Sequence, residues 1–328
     1  MNVNMESSPV AQAAPAAAGR SPEVDAASIR PIILVGLARS GTKWVSNIIA
    51  SHEDVVAVQS PTAGGILETD MFEGLRDKFD LGFPTDYIGL IELWSRTEFF
   101  RLAGGDPEKF YRLDPRPRSP FAVFDLLMSD FARRHRCGHW LQKTSPLNAL
   151  DVLDYFRSAK VVVVRRDLLD NARSALALRA RHGVPPRPAW TTCHIVYQRK
   201  LLDRICSRYR AVEIRYEDLK ADPEREKARL FAELGLAPPK NPKTASFPRN
   251  TSFASENQRE QILSGREAAL VKSVAAIVGA LPLPVISAVI ALRRVFRRPR
   301  PRPLVSGSFG EVEDRLVDRS RGAAGAGD

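Results

Sequence analysis

Short apolar runs rich in β-branched residues recur along the middle of this 328-residue chain, and helical signals follow most of them. The predicted strands cover residues 32–35, 55–58, 140–143, 161–164 and 212–215. Strands without polar alternation are buried on both faces, and their alternation with helices is typical of a parallel sheet with right-handed crossovers. We therefore predict a three-layer α/β/α domain with a central parallel sheet.

A loop with the character of an anion-binding site follows the first predicted strand. Residues 36–44 read Gly-Leu-Ala-Arg-Ser-Gly-Thr-Lys-Trp and lead into a helix predicted over residues 42–51. Small residues let backbone N–H groups face an anion, the helix N-terminus adds its dipole, and Arg39 and Lys43 add full charges. A nucleoside-triphosphatase P-loop fits poorly, because Trp44 follows Lys43 where that motif needs a hydroxyl for Mg²⁺.

This segment resembles the 5′-phosphosulfate loop of the sulfotransferases that use 3′-phosphoadenosine 5′-phosphosulfate (PAPS). That loop reads approximately Pro-(Lys/Arg)-Ser-Gly-Thr-Thr-(Trp/Leu), and this chain departs from it with Ala38 for Pro and Lys43 for Thr. The resemblance, which spans about residues 30–236, implies that Trp44 stacks on the adenine and that the fold is P-loop-like. A C-terminal apolar helical segment lies outside it. The resemblance also implies that the 5′-phosphosulfate binds to Arg39, Ser40, Gly41, Thr42 and Lys43.

Further segments strengthen the resemblance. Arg166 follows the strand predicted over residues 161–164, and Ser174 comes eight residues later, as in the pair that binds the 3′-phosphate in that family. An arginine fork and a hydroxyl suit a phosphate dianion. Tyr216 opens a Tyr-Glu-Asp-Leu block that borders the adenine site in the family, and we expect Arg249 to contribute to a loop closing over the 3′-phosphate.

Lys143 is predicted to act on the transferring group. It lies 23 residues before Arg166, where the family carries a catalytic lysine segment. Sulfuryl transfer builds negative charge on the sulfuryl and leaving oxygens, which fixed cations stabilise. We predict that Lys143 and Arg39 provide that charge, with no metal ion, because protein cations fill the role that Mg²⁺ has in kinases.

The general base is the point at which the chain departs from the family. Cytosolic-type members carry a His two residues after the catalytic lysine, and protein-tyrosine-type members carry a Glu 21 residues after the loop arginine. Ser145 and Ser60 occupy those positions here, and neither accepts a proton at neutral pH. We predict Glu68 as the base, because it follows a flexible glycine turn, with His52 as the alternative.

The C-terminal part of the chain combines an apolar stretch with a basic cluster. Residues 273–292 carry no charge, Pro282 and Pro284 interrupt them, and six arginines follow within residues 293–302. Two interpretations stay open at this point: a pair of helices packed on the domain or on a second subunit, and peripheral binding to an anionic membrane surface. A true membrane span is the third interpretation, because the stretch is long enough to cross a bilayer. The predicted organisation is a disordered leader (1–28), a sulfotransferase domain (29–265), a helical segment (266–298) and a disordered tail (299–328).

Charge and composition narrow the function. The net charge of +11 favours an anionic partner, but the arginine cluster supplies six of these charges and the chain carries no nucleic-acid-binding motif. Three irregularly spaced cysteines indicate a reducing compartment. We predict a cytoplasmic enzyme, associated with the inner face of the cytoplasmic membrane, that transfers a sulfuryl group from PAPS to a hydroxyl of a carbohydrate, lipid or glycolipid. The released nucleotide is adenosine 3′,5′-bisphosphate. An ATP-dependent kinase and a non-catalytic, membrane-attached nucleotide-binding protein are the alternatives, and the oligomeric state stays open.

Overall fold

A five-stranded parallel sheet forms the centre of the fold, with strand order β2-β5-β1-β6-β7. A computed structural model describes residues 29–60, 65–240 and 263–296 of the chain. The strands of the sheet are β1 Arg30–Gly36, β2 Val55–Val56, β5 His139–Thr144, β6 Lys160–Arg165 and β7 Ala211–Arg215. A separate antiparallel pair consists of β3 Gln59–Ser60 and β4 Gly65–Ile66.

Helices flank the sheet, and several begin with a proline after a capping side chain. The first three are α1 Thr42–Ala50, α2 Pro84–Ser95 and α3 Glu98–Leu102, with a π-helical turn at Met71–Leu75 before α2. The next are α4 Pro107–Tyr111, α5 Pro120–Arg134, α6 Pro146–Tyr155, α7 Leu168–Arg181 and α8 Pro188–Arg208. The last are α9 Tyr216–Ala221, α10 Pro223–Glu233, α11 Gly265–Ala280 and α12 Leu283–Phe296.

Side chains of β1 alternate between two separate hydrophobic cores. Ile33 and Val35 face a core that residues of α5, α6, α7 and α8 complete, whereas Ile32 and Leu34 face a second core with α1, α9 and α10. All four side chains are fully buried. A strand buried on both faces needs helices on each side, so the chain forms the predicted three-layer α/β/α architecture.

The region between β4 and α5 is more regular than the sequence suggests. We predict a long loop over residues 104–118, but α4 interrupts it. The Asp106 carboxylate accepts the backbone N–H of Glu108 at the start of that helix, and Phe110 packs edge-on against Trp94. The Asp106 cap, a proline at the first helical position and the burial of Phe110 together stabilise this five-residue helix.

The C-terminal helices rest on the domain. Helix α11 packs against α7 and α8, and α12 packs against α8. Val271, Ile286 and Ile290 are buried on the sides of the helices that face the domain. Among the described residues, no single helix combines the length and apolarity of a membrane span, but α11 together with residues 283–292 meets that test as a pair bent by 117°.

Candidate functional site

The carboxyl ends of neighbouring strands meet at one edge of the sheet. Val35 of β1 lies opposite Thr144 of β5, and Gly36 lies opposite Val164 of β6. The loop before α1, the Lys143 region and the start of α7 therefore share the edge at which parallel sheets bind ligands.

The loop between β1 and α1 turns back on itself to present the N-terminus of α1. The Ser40 backbone N–H and hydroxyl both donate to the Leu37 carbonyl, at 3.1 and 2.8 Å. Arg39 and Gly41 adopt left-handed conformations, with φ of 70° and 99°. A Cβ at Gly41 would lie 2.5 Å from the Tyr216 ring, so glycine is needed there for both its φ and its small size.

Arg166 joins the start of α7 to this loop. Its Nη1 donates to the Arg39 carbonyl at 2.8 Å, and its guanidinium lies 4.4 Å from the centroid of the Tyr216 ring. Asn171 adds a second connection, because its Nδ2 donates to the Ala38 carbonyl at 3.1 Å. Residues that lie some 130 positions apart in the sequence thus form one cationic pocket.

The Arg39 side chain points toward the residue pair predicted for the 3′-phosphate. Its Nε donates to the Ser174 hydroxyl at 3.2 Å. Burial lowers the pKa of Arg39, and the positive charges of Arg166 and Arg181 lower it further. Binding of an anion would reduce the repulsion between these positive charges. The sequence-based prediction places Arg39 beside the transferring group, whereas the structure places its guanidinium on Ser174.

Two lysines lie on the side of the loop that faces the β3–β4 ribbon. The Lys143 ammonium group lies 3.2 Å from the Glu68 carboxylate, and the Lys143 side chain is 11% exposed. A Cβ at Gly65 would lie 2.7 Å from Cε of Lys43, so the Lys43 side chain extends over the backbone of β4. The predicted base and the predicted catalytic lysine are therefore in contact.

Trp44 and Tyr216 form an aromatic corner beside the loop. Their ring centroids are 5.9 Å apart, and the rings are inclined by 74°. Both residues are partly exposed, which leaves ring surface for a planar base to stack on.

A buried N–H group beside the loop suits an anion, whereas a buried amide oxygen next to it needs a donor. Within the described parts of the chain, Nε of Arg166 and Oδ1 of Asn171 are buried and have no hydrogen-bond partner. A small cavity adjoins both residues and is also lined by Ser40 and Arg199. Buried polar atoms in native structures are normally hydrogen-bonded, so an anion with acceptor oxygens suits the arginine in this pocket.

The structure separates one predicted residue from this site. His52 is buried beyond the end of α1, at the opposite edge of the sheet from the loop. Its Nε2 lies 2.8 Å from the Ala237 carbonyl, and its Nδ1 accepts the Asp54 backbone N–H at 3.1 Å. Both ring nitrogens are thus engaged at that edge, and the structure does not bring His52 to Lys143, which lies at the carboxyl end of β5. Arg249 lies outside the described residues.

Several residues at the site are not predicted from the sequence. Glu98 at the start of α3 accepts a hydrogen bond from the buried Ser60 hydroxyl at 2.5 Å, which brings a second carboxylate to the β3–β4 ribbon. Arg199 of α8 donates to the Arg166 carbonyl at 3.0 Å. No local motif marks Glu98, Arg199 or Asn171, because only the tertiary fold brings them to the loop.

In the parts of the chain that the structure describes, no group of three or more His, Cys, Asp and Glu side chains is arranged to hold a metal ion.

Comparison with known proteins identifies the family of the chain. The chain is similar to a sulfotransferase domain of an olefin synthase from Synechococcus PCC 7002, with 15% sequence identity, coverage of 83% of this chain and 97% of that chain, and a TM-score of 0.43. It is also similar to a sulfotransferase from Alicyclobacillus acidocaldarius, with 17% identity, coverage of 79% and 99%, and a TM-score of 0.39. No curated protein matches the chain. A model of the Sulfotransferase family matches residues 31–239, which is more than half of the sequence, and the chain therefore belongs to the sulfotransferase family.

Proposed function

We propose that this sulfotransferase uses PAPS as its donor and a hydroxyl of a carbohydrate, lipid or glycolipid as its acceptor. The observation that carries the proposal is the pocket in which Arg166 donates to the Arg39 carbonyl while Arg39 donates to Ser174. Two guanidinium groups and a hydroxyl at one place suit a phosphate dianion. The donor fits because it carries such a group at its 3′ position, in addition to the 5′-phosphosulfate.

The nucleotide would occupy both sides of the loop. We assign its 3′-phosphate to Arg166, Ser174 and Arg39, and its adenine to the corner between Trp44 and Tyr216. The 5′-phosphosulfate is assigned to the backbone N–H groups of residues 39–43 at the N-terminus of α1, whose dipole favours an anion. Lys43 and Lys143 would then supply the charge nearest the sulfuryl group.

Transfer is a single displacement at sulfur. The acceptor oxygen forms a new bond to sulfur as the bond between sulfur and the bridging oxygen of the 5′-phosphate breaks, and the hydroxyl proton passes to a carboxylate. The products are a sulfate ester and adenosine 3′,5′-bisphosphate. Lys143 would stabilise the charge that develops on the sulfuryl and leaving oxygens, and Glu68, 3.2 Å from it, is the assigned base.

Calorimetry with adenosine 3′,5′-bisphosphate tests the donor assignment, with adenosine 5′-monophosphate as the ligand that lacks the 3′-phosphate. We expect the bisphosphate to bind at least about tenfold more tightly, because it alone engages the Arg166 pocket. Equal affinities, or tighter binding of ATP with Mg²⁺, would overturn the assignment.

Incubation with ³⁵S-labelled PAPS and a cell extract, followed by separation of lipids, glycans and proteins, then identifies the acceptor class. Labelling is expected to persist in EDTA.

A further inference from the structure

The two C-terminal helices carry exposed apolar side chains, which together we call the C-terminal face. It consists of Leu270, Ile277, Val285, Val289 and Leu292, all at least 44% exposed, with Ile277 at 65%. The two residues on α11 are spaced by seven positions, and the three on α12 by four and three. Side chains with these spacings lie on the same side of a helix, so Val285, Val289 and Leu292 form one apolar stripe on α12. Leu270 and Ile277 lie on one side of α11, with the exposed Ser273 between them.

These side chains point away from the domain, because the opposite sides of the same helices contact it. Val271 on α11, and Ile286 and Ile290 on α12, are buried, and both helices pack on α8. These helices are therefore apolar on two sides, of which the domain covers one. No residue in the described ranges covers the other. Apolar side chains scattered singly on a surface are ordinary, but five large ones on two consecutive helices are typical of an interaction surface.

The charge pattern favours an anionic lipid surface as the partner. No charged residue occurs between Lys272 and Arg293, and six arginines lie within residues 293–302. A basic cluster directly after an apolar stripe matches the boundary between acyl chains and negatively charged headgroups. A second copy of this chain carries a net charge of +11, which disfavours it as the partner of a basic cluster.

The bend between the helices determines how they would meet a membrane. Helix α11 has 16 residues and α12 has 14, and the pair is bent by 117°. A helix needs about 20 residues to cross the hydrocarbon core, so neither helix is long enough alone. We propose that α11 and α12 lie within the interface of an anionic membrane, with the C-terminal face among the acyl chains and the arginines on the headgroups. This proposal does not depend on the donor or on the acceptor.

Vesicle flotation of the full-length protein tests the proposal. We expect binding to vesicles of phosphatidylcholine with phosphatidylglycerol, and at least about tenfold weaker binding to phosphatidylcholine alone, since each basic residue near an anionic surface adds attraction. The double substitution Ile277→Glu with Val289→Glu places carboxylates on the C-terminal face and should reduce binding by about tenfold or more. Phe83→Glu is the matched control, because Phe83 is 60% exposed at a position outside the two helices.

A second variant keeps the test informative if the double substitution impairs folding. Replacing the six arginines by glutamine leaves the apolar face intact and should remove the preference for phosphatidylglycerol. Equal vesicle binding by both variants and the wild type would overturn the proposal. So would a wild-type dimer in light scattering that Ile277→Glu with Val289→Glu dissociates, if the wild type does not float with vesicles, because the face would then be a protein interface.

Discussion

The ammonium group of Lys143 lies 3.2 Å from the carboxylate of Glu68. Lys143 belongs to β5, next to the central strand, whereas Glu68 follows the short ribbon of β3 and β4. The pair therefore joins the sheet to the ribbon. It also keeps a mostly buried lysine beside a carboxylate with access to solvent, the combination that an acceptor hydroxyl needs for deprotonation and for charge stabilisation.

Lys143→Ala is expected to abolish sulfuryl transfer while changing the dissociation constant for adenosine 3′,5′-bisphosphate by no more than about threefold. The reason is that Lys143 contacts Glu68, whereas the proposed 3′-phosphate pocket is built around Arg166. Single-turnover kinetics and calorimetry measure the two effects. A variant that keeps its turnover but loses nucleotide affinity would reverse the roles assigned here.

Glu68→Gln is expected to lower turnover by about a hundredfold or more and to flatten the acidic limb of the pH–rate profile, because the amide cannot accept the acceptor proton. Glu98→Gln is the comparison, since Glu98 bonds to Ser60 on the same ribbon. We expect a smaller effect from Glu98→Gln and no change in its pH–rate profile. If only Glu98→Gln flattens the profile, Glu98 is the base.

Arg166→Ala is expected to weaken binding of adenosine 3′,5′-bisphosphate by about ten- to a hundredfold, the usual effect of losing a hydrogen bond between charged groups. Arg166→Lys should restore little of this affinity, because lysine lacks the fork that donates to the Arg39 carbonyl and stacks over Tyr216. The control is Arg133→Ala, a surface arginine that pairs with Asp130. Equal losses for both alanine variants would contradict a specific role for Arg166.

Gly41→Ala is expected to destabilise the protein by about 1–3 kcal/mol and to weaken nucleotide binding. An alanine at this position would have to adopt a φ near 99°, and its methyl group would lie 2.5 Å from the Tyr216 ring. Gly279→Ala is the matched control, because no described atom lies within 4 Å of a Cβ at that position in α11. Thermal unfolding should show a lower midpoint for Gly41→Ala alone, and unchanged nucleotide binding by this variant would contradict the proposed loop site.

Glu226→Gln is expected to lower the free energy of unfolding at pH 7 by about 1–3 kcal/mol. The Glu226 side chain is 4% exposed and accepts from Arg229 at 2.7 Å. The Arg229 hydrogen bond lowers the pKa of Glu226 in the folded state. Its stabilisation is therefore fully present above the unfolded-state pKa, about 4.3, and is lost as the pH falls through the lower folded-state value.

Denaturant unfolding at several pH values measures this effect. The difference between the wild type and Glu226→Gln should shrink as the pH falls below about 4. Glu224→Gln serves as the control, because that carboxylate is 86% exposed and its ion pair with Lys227 spans 3.7 Å. The control should stay within about 1 kcal/mol of the wild type at every pH. A constant difference for Glu226→Gln across the pH range would contradict the ion-pair explanation.

The sequence predicts the architecture well because the signals for it are local. Runs such as residues 161–164 are apolar throughout, so they indicate buried parallel strands, and the loop before α1 follows from its glycines and charges. The direction in which a side chain points does not depend on local sequence alone. Nothing in the sequence indicates that Arg39 turns toward Ser174, or that Glu98 reaches Ser60 across 38 positions, because long polar side chains follow the tertiary packing.

Helix α8 contacts both the Arg166 pocket and the two C-terminal helices. Its Arg199 donates to the carbonyl of Arg166, and α11 and α12 rest on it. If the proposed membrane binding shifts α8, the shift would therefore move Arg166 in the proposed nucleotide pocket. By thermodynamic linkage this effect is reciprocal. If vesicles raise the affinity of the protein for the nucleotide, the nucleotide must raise its affinity for vesicles by the same factor.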